Sequence, residues 1–419
     1  MSERAVLRAM FDRAVAAAQP KAVMLPFMPD PPKGRVVVVG AGKASAAMAA
    51  AFEDNWNGPL SGLVVTRYGH GAATRHIEIV EAAHPVPDKA GEQAARRILD
   101  LADGLGADDL LVVLISGGGS ALLALPAAGL GLADKQEANR LLLASGVPIN
   151  DMNVVRKHLS AIKGGRLAAA AWPARCLALM ISDVPGDDPG TIASGPTIVD
   201  ASTLADARRI LAPFHDHLPM AVLAALKNPG NETPKPGDPR LSNSLAHIIA
   251  SPARSLAAAA EYAEAAGIKP IILGDAIEGE ARDIGCRMAR RALAELRDTR
   301  PRVLLSGGET TVTLTKPAKG SGGRNVEFLL ALAKELNGAP GIHALACDTD
   351  GIDGSAEIAG AHVAPDTIRR AERLGYRLER ALADHDGHGF FARLGDQVIT
   401  GPTLTNVNDF RAILIAPKG

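Results

Sequence analysis

Three observations place this chain among α/β proteins with two domains. Strand-like apolar runs alternate with amphipathic helical stretches, the pattern of a largely parallel sheet flanked by helices. At 419 residues the chain exceeds what one ordinary core supports. The alternation also runs twice, on either side of KNPGNETPKPGDPR (227–240), a proline-, glycine- and charge-rich linker or long surface loop. The expected architecture is a Rossmann-like first domain over 1–240 and a second α/β domain with a mixed sheet over 241–419. The ligand site is expected in the cleft between them.

The elements follow in order. Strands are expected near 35–39, 62–66, 77–81, 110–115 and 176–181, each a short β-type apolar run ended by turn residues. Helical periodicity covers 3–18, 43–53, 89–103, 134–145, 151–171 and 203–225. After the 227–240 segment, strands are expected near 245–250, 269–273, 302–306, 311–315, 343–347 and 410–415. Helices are expected near 252–267, 279–297, 324–336, 366–384 and 388–393.

Composition excludes several classes. A net charge of −1 leaves no basic excess for nucleic acid or an anionic membrane. MSERAVLRAMFDRAV carries charges within its first turns and reads as an amphipathic helix, not a signal peptide. The most apolar stretch, 121–133, is interrupted by Pro126 and glycines and is too short to span a bilayer. The three cysteines lie far apart, with no metal spacing; Cys176 and Cys347, in strand-like runs, read as buried thiols. The expected compartment is the cytoplasm.

Three strand ends carry glycine-rich turns: VVVVGAGKAS (36–45), LVVLISGGGSALL (111–123) and VLLSGGET (303–310). Bare backbone lets successive N–H groups converge on an anion, and a helix starting there adds its positive end. Together the turns suggest phosphate. The first is not a P-loop, since Val37 stands where that motif needs glycine. It matches a dinucleotide fingerprint at Gly40 and Gly42 but has Ser45 for the third glycine, and Thr66 and Arg67 where an acidic residue belongs. An NADP enzyme tolerates Arg67, so that reading stays open. Lys43 faces the unfavourable end of a helix dipole unless an anion sits there too. Ser116, Gly117, Gly118, Gly119 and Ser120 form the most specific of the three turns. Glycines cost roughly a kcal/mol each in regular structure and make sense as a backbone nest. Ser306, Gly307, Gly308 and Glu309 form the third.

Carboxylates cluster in DVPGDDPGTIASGPT (183–197), with Asp183, Asp187 and Asp188, and in DTDGIDG (348–354), with Asp348, Asp350 and Asp353. The second run is no EF-hand, because its fifth position is Ile352 and its twelfth Ala359. Carboxylates at strand ends suit Mg²⁺ bridging nucleotide phosphates, or a base for a hydroxyl; singly they suit turn caps. Arg324 and Asn325 open an amphipathic helix after GSGG, again a cation at a helix start. Arg156, Lys157 and Lys163 either line a cleft or form a solvated face, the second being the commoner arrangement. The histidines form no triad or HExxH pattern, and no GxSxG elbow is present.

The ordered set GAGKAS, LISGGGSALL, NVVRKHLSAIKGGRLA, ISDVPGDDPGTIASGPT, LLSGGETTVTL, GGRNVEF, DTDGIDG and TGPTLTNVND resembles the class II glycerate kinases. The resemblance runs from about Val36 to Ile415 and includes a MOFRL region at about 300–415. It implies an ATP-dependent D-glycerate 2-kinase giving 2-phosphoglycerate with Mg²⁺, in a two-domain α/β fold. The expected partners are the small molecules D-glycerate and ATP, with no nucleic acid or membrane and with a homodimer left open. The family's active-site lysine and arginine match Lys43 and Arg324. With the chemistry of the turns and carboxylate clusters added to that match, Lys43, Arg324 and Asp183 are the expected catalytic residues. Gly40, Gly42, Ser116 to Ser120, Ser306 to Glu309, Asn325 and Asn406 are the expected substrate and nucleotide contacts, and Asp188, Asp348 and Asp350 the expected metal ligands. The competing readings are an NAD(P)H-dependent hydroxypyruvate reductase and a non-catalytic sensor.

Overall fold

The first alternation builds six strands: β1 (Val36–Ala41), β2 (Ser61–Arg67), β3 (Ile77–Ala82), β4 (Leu110–Ile115), β5 (Arg175–Ile181) and β6 (Ser244–Ala250). The computed structural model describes residues 2–296, 300–314, 319–354 and 356–416. The strands lie in the order β3-β2-β1-β4-β5-β6, with β3 to β5 paired in parallel. Every residue of β1 and β4 is buried, as expected of central parallel strands covered on both faces. The order reverses between β1 and β4, and at such a switch point the connections diverge and leave a crevice at the carboxyl ends of the strands.

The chain divides into one unit of residues 20–249 and another that joins the N-terminal 19 residues to 250–419. This differs from the expected boundary at 240 in two ways. The helix Glu3–Ala16 packs its stripe of Leu7, Met10, Phe11 and Ala14 against the helix Pro252–Ala265 and the second sheet, with the Phe11 and Phe410 rings 5.8 Å apart. β6 completes the first sheet beside β5. The 227–240 segment is accordingly a docked loop of the 20–249 unit: Arg166 donates to the Asn231 carbonyl, and Glu232 accepts from the Leu204 amide.

The C-terminal unit contributes β7 (Lys269–Gly274), β8 (Gly279–Glu280), β9 (Arg302–Ser306), β10 (Thr310–Thr311), β11 (Ile342–Asp348), β12 (Gly360–Val363), β13 (Gln397–Val398) and β14 (Asp409–Ile415). Its main sheet is mixed, in the order β13-β12-β11-β14-β9-β7, with only β7 and β9 parallel. Of the strand expected at 311–315, only Thr310–Thr311 forms, paired with β8; residue 315 lies outside the described residues. One face of the sheet is covered by the helices Ala281–Glu295 and Arg324–Leu336, the other by Glu3–Ala16 and Pro252–Ala265.

Two long helices expected from periodicity are broken by their own residues. The 151–171 stretch becomes Ile149–His158 and Arg166–Ala171: Ser160 leaves the helix to bridge Pro126, and Gly164 and Gly165 adopt φ of +59° and +81°, which a right-handed helix excludes. The 203–225 stretch divides into Leu204–Leu211, a 3₁₀ segment Ala212–His217 and Met220–Lys227, with Pro213 and Pro219 at the breaks. Cys176 and Cys347 are buried as expected, and burial pushes the Cys176 thiol up to about 12. Among the described residues no helix is long and apolar enough to cross a membrane.

Gly40 lies inside β1, where a side chain would place its Cβ 2.1 Å from the Leu114 carbonyl oxygen of β4. It lets the two switch-point strands pack closely. Gly40→Ala should therefore destabilise the chain by about 1–3 kcal/mol, the usual cost of overpacking. Thermal melting should show a drop of several degrees; an unchanged melt would show that β1 and β4 separate without cost.

Candidate active site

The turns after β1 and β4 are knitted together at the switch point. The Lys43 amide donates to the Gly117 carbonyl at 2.8 Å, and the Ala44 amide to Ser116 Oγ at 2.9 Å. Gly42 has φ of +141°, and a Cβ there would meet Ser116 Oγ at 2.2 Å, so only glycine fits. Gly118 is left-handed at φ +80° and opens the one-turn helix Gly119–Leu122. The amides of Gly117 and Gly118 donate to no group among the described residues, which leaves them to an outside acceptor. A Cβ on Gly118 would lie 3.4 Å from Lys43 Cγ and 3.0 Å from the His84 ring. Ser120 Oγ lies 2.8 Å from Ser194 Oγ, which in turn donates to Asn153 at 3.3 Å. Ala193 and Ser194 both adopt positive φ, a costly conformation in non-glycine residues and frequent at functional sites.

Beside this nest is a cavity of about 540 Å³ within the 20–249 unit, whose lining includes Gly118, Ser120, Lys135, Arg156 and Lys163. Lys163 is completely buried and donates to the Leu123 carbonyl. This settles the open reading of the 151–171 cations for that residue: it is interior, not on a solvated face. Lys135 is 3 % exposed, and its Nζ has no hydrogen-bond partner. Burial, reinforced by Arg156 and Arg166 and opposed by Glu92, pulls its ammonium down to about 7. Burial also holds Lys163 well below the lysine range, with Lys135 and Arg156 acting in the same direction.

In the C-terminal unit, Arg324 opens the helix Arg324–Leu336 and fans its guanidinium over three carboxylates. Nε meets Asp409 at 2.8 Å, Nη1 meets Glu309 at 2.7 Å and Nη2 meets Asp348 at 2.6 Å. Burial works against the charge, but Asp409, Asp348 and Glu309 overcome it and hold Arg324 well above its ordinary range. The anion that its position requires is therefore supplied from within the protein. Asn325 donates to Asp409 at 2.7 Å, and the buried carboxylate of Asp353 accepts the Asn325 and Val326 amides at the same helix start.

The expected site residues thus fall into two groups. Gly42, Lys43 and Ser116 to Ser120 converge at the switch point, with Asp183 just beyond the end of β5; Gly40 is a packing residue inside β1. Glu309, Arg324, Asn325 and Asp348 converge at strand ends of the C-terminal unit, and Asn406 is buried in the loop before β14. In the 306–309 turn the Gly308 and Glu309 amides donate to no group among the described residues. The Gly307 amide is taken by the Gly274 carbonyl, and Gly308, at φ +111°, packs against Ile277. Asp188 is a turn cap, accepting from the Gly190 amide and Thr191 Oγ1. Asp350 accepts the Ile352 amide, while Asp348 accepts the Asp350 amide besides its bond to Arg324. Among the described residues no group of three or more His, Cys, Asp or Glu side chains is placed to hold a metal. Mg²⁺ commonly needs only one or two carboxylates beside substrate phosphates, so this arrangement does not conflict with a metal bound chiefly by nucleotide. Lys135, Ser194, Asn153 and Asp409 escaped the sequence reading. Lys135 carried a usable signal, a lysine in the first turn of the helix Leu132–Ala144.

An unpartnered buried ammonium lowers stability wherever it is charged. Lys135 titrates near 7 in the folded chain and near 10.5 when unfolded, so its penalty is full below pH 7 and vanishes as pH approaches 10.5. Lys135→Met should raise the melting temperature most at pH 6–7, with the gain fading towards pH 10. A lower melting temperature at pH 6–7 would show that the charge is compensated in the folded protein.

Two family models match the chain: the domain of unknown function DUF4147 over residues 6–227 and the MOFRL family over residues 302–409. An Agrobacterium vitis chain with the provisional name hydroxypyruvate reductase is 54 % identical over 420 residues, covering 99 % of this chain and 95 % of that one. The D-glycerate 2-kinase of Thermotoga maritima is 37 % identical over 405 residues, covering 95 % and 93 %. A crystal structure of Thermotoga maritima glycerate kinase superposes with a TM-score of 0.88 at 35 % identity, covering 98 % of this chain and 99 % of that one. With both regions present in order and relatives matched nearly end to end, the chain belongs to the class II glycerate kinase family.

Proposed function

We propose that this enzyme is an ATP-dependent D-glycerate 2-kinase, transferring the γ-phosphoryl group of ATP to the 2-hydroxyl of D-glycerate. The observation that carries this reading is the knitted switch-point turn. Lys43 and the Gly117 and Gly118 amides, which donate to no group among the described residues, meet there, beside buried cations that form no ion pair among the described residues. Phosphoryl transfer needs little covalent chemistry from a protein. It needs positioned reactants and positive groups where charge develops, and this site is built of those. Lys43 would act on the transferring phosphoryl group or on the glycerate carboxylate, as would Arg324, whose planar fork suits either anion. For Arg324 to do so, substrate must displace or join its three carboxylate partners.

Mg²⁺ would be held chiefly by the nucleotide phosphates. Asp183, half-buried beyond β5, is the protein carboxylate best placed in sequence to join it or to accept the hydroxyl proton. A bound Mg²⁺ would neutralise charge on the phosphates. Asp188 is assigned to its turn instead. The reductase reading draws its support from a provisional relative's name and from Arg67, and the buried cations give it no further role.

Incubation with ATP, Mg²⁺ and D-glycerate should generate ADP and a product that enolase consumes without added phosphoglycerate mutase, which identifies the 2-phosphate. Oxidation of NADH or NADPH by hydroxypyruvate, with no ATP consumed in the glycerate assay, would contradict the kinase reading.

A further inference from the structure

We propose that the cavity beside the β1/β4 switch point seats the nucleoside triphosphate, with Lys135, Lys163 and Arg156 receiving its phosphates and the rim of Pro85, Val86 and Leu143 its base. The inference rests on the kinase reading and extends it by assigning the nucleotide to particular residues of one unit.

The cavity's chemistry is divided as a nucleotide's is. At its inner end three cations gather without a carboxylate partner: none of them forms an ion pair among the described residues. Lys135 Nζ has no hydrogen-bond partner at all. Lys163, fully buried, spends one of its three protons on the Leu123 carbonyl. Arg156 reaches Asn139 and Asn153 only at 3.4 Å, too long to satisfy a guanidinium. Glu137, the carboxylate on the cavity wall, is taken by Arg140 at 2.6 Å. Lys135 also lies in the first turn of the helix Leu132–Ala144, where the dipole opposes it. Burial, like-charge neighbours and dipole all act against this one group, and a bound polyanion would offset all three.

The exposed part of the lining is largely apolar, with Val86 64 % and Leu143 66 % exposed, and carries the Arg140–Glu137 pair beside them. Such surface beside a polar pocket suits a flat heterocycle. Size separates the two substrates. A volume of about 540 Å³ far exceeds what a three-carbon acid fills. Glycerate brings one carboxylate, which would leave further cations unpaired and the rim uncovered. A triphosphate reaches all three cations and, through the Gly118 side of the cavity, the Gly117 and Gly118 amides.

The test is calorimetric titration of the full chain with ATP, alongside steady-state kinetics, for wild type, Lys135→Met and Arg156→Gln, with melts as the folding control. ATP affinity should fall at least tenfold in both variants, while KM for D-glycerate changes less than about twofold. Tripolyphosphate should compete with ATP on the wild type, and Leu143→Glu at the rim should weaken ATP more than tripolyphosphate. Unchanged ATP affinity in both variants with transfer intact would overturn the assignment and leave the kinase reading standing. A loss confined to glycerate would give the cavity to the acid instead. If no transfer to glycerate occurs but ATP binding still depends on Lys135, the nucleotide site stands and the acceptor is another molecule. No ATP binding by the wild type would overturn both.

Discussion

The cost of burying positive charge organises this molecule. A cation removed from water must find an anion or lose its proton, and the two units meet that demand differently. In the C-terminal unit Arg324 is surrounded by Asp409, Asp348 and Glu309, and the neighbouring Arg411, completely buried, pairs with the second oxygen of Asp409 at 2.5 Å. The charge is compensated internally. In the 20–249 unit Lys135, Lys163 and Arg156 share a cavity in which the one wall carboxylate is already engaged. The first arrangement pairs its cations within the protein, so that a substrate must displace or join those carboxylates; the second leaves its cations without an ion pair among the described residues.

The fold prepares both places by the same means. Strands that end at glycine-rich turns bring backbone into close approach, and helices starting nearby aim their amides at the same point. Ser116 shows how much one residue settles: its hydroxyl accepts the Ala44 amide, and its position requires Gly42 to lack a side chain. In the C-terminal unit Asp353 performs the corresponding task, fixing the helix start at Asn325 and Val326 and so directing Arg324 towards the strand ends.

Much of this was legible in the sequence because buried parallel strands must be nearly continuous apolar runs; the expected strands at 110–115 and 302–306 match the observed limits. Helix length was less legible. Gly164 and Gly165 broke a periodic stretch through backbone angles that composition only hints at, and Gly375, at φ +77°, interrupts 366–384 in the same way. The N-terminal helix had a readable apolar stripe, but nothing local states which sheet receives it. Among site residues, glycine turns announce themselves because few other roles require them. Lys135 looks like any helical lysine until the fold places its Nζ inside a cavity, and Asp188, expected as a metal ligand, has its oxygens engaged by its own turn.

The proposed dependence of phosphoryl transfer on both strand-end cations, Lys43 and Arg324, is tested by kcat for Lys43→Ala and Arg324→Lys with ATP, Mg²⁺ and D-glycerate, each with a thermal melt. Arginine-to-lysine exchange keeps a charge among Asp348, Asp409 and Glu309, whereas alanine would strand buried carboxylates at about 3–5 kcal/mol. The kcat should fall about a thousandfold in Lys43→Ala and at least tenfold in Arg324→Lys, with melts near wild type. Near-wild-type kcat in both variants would contradict that dependence.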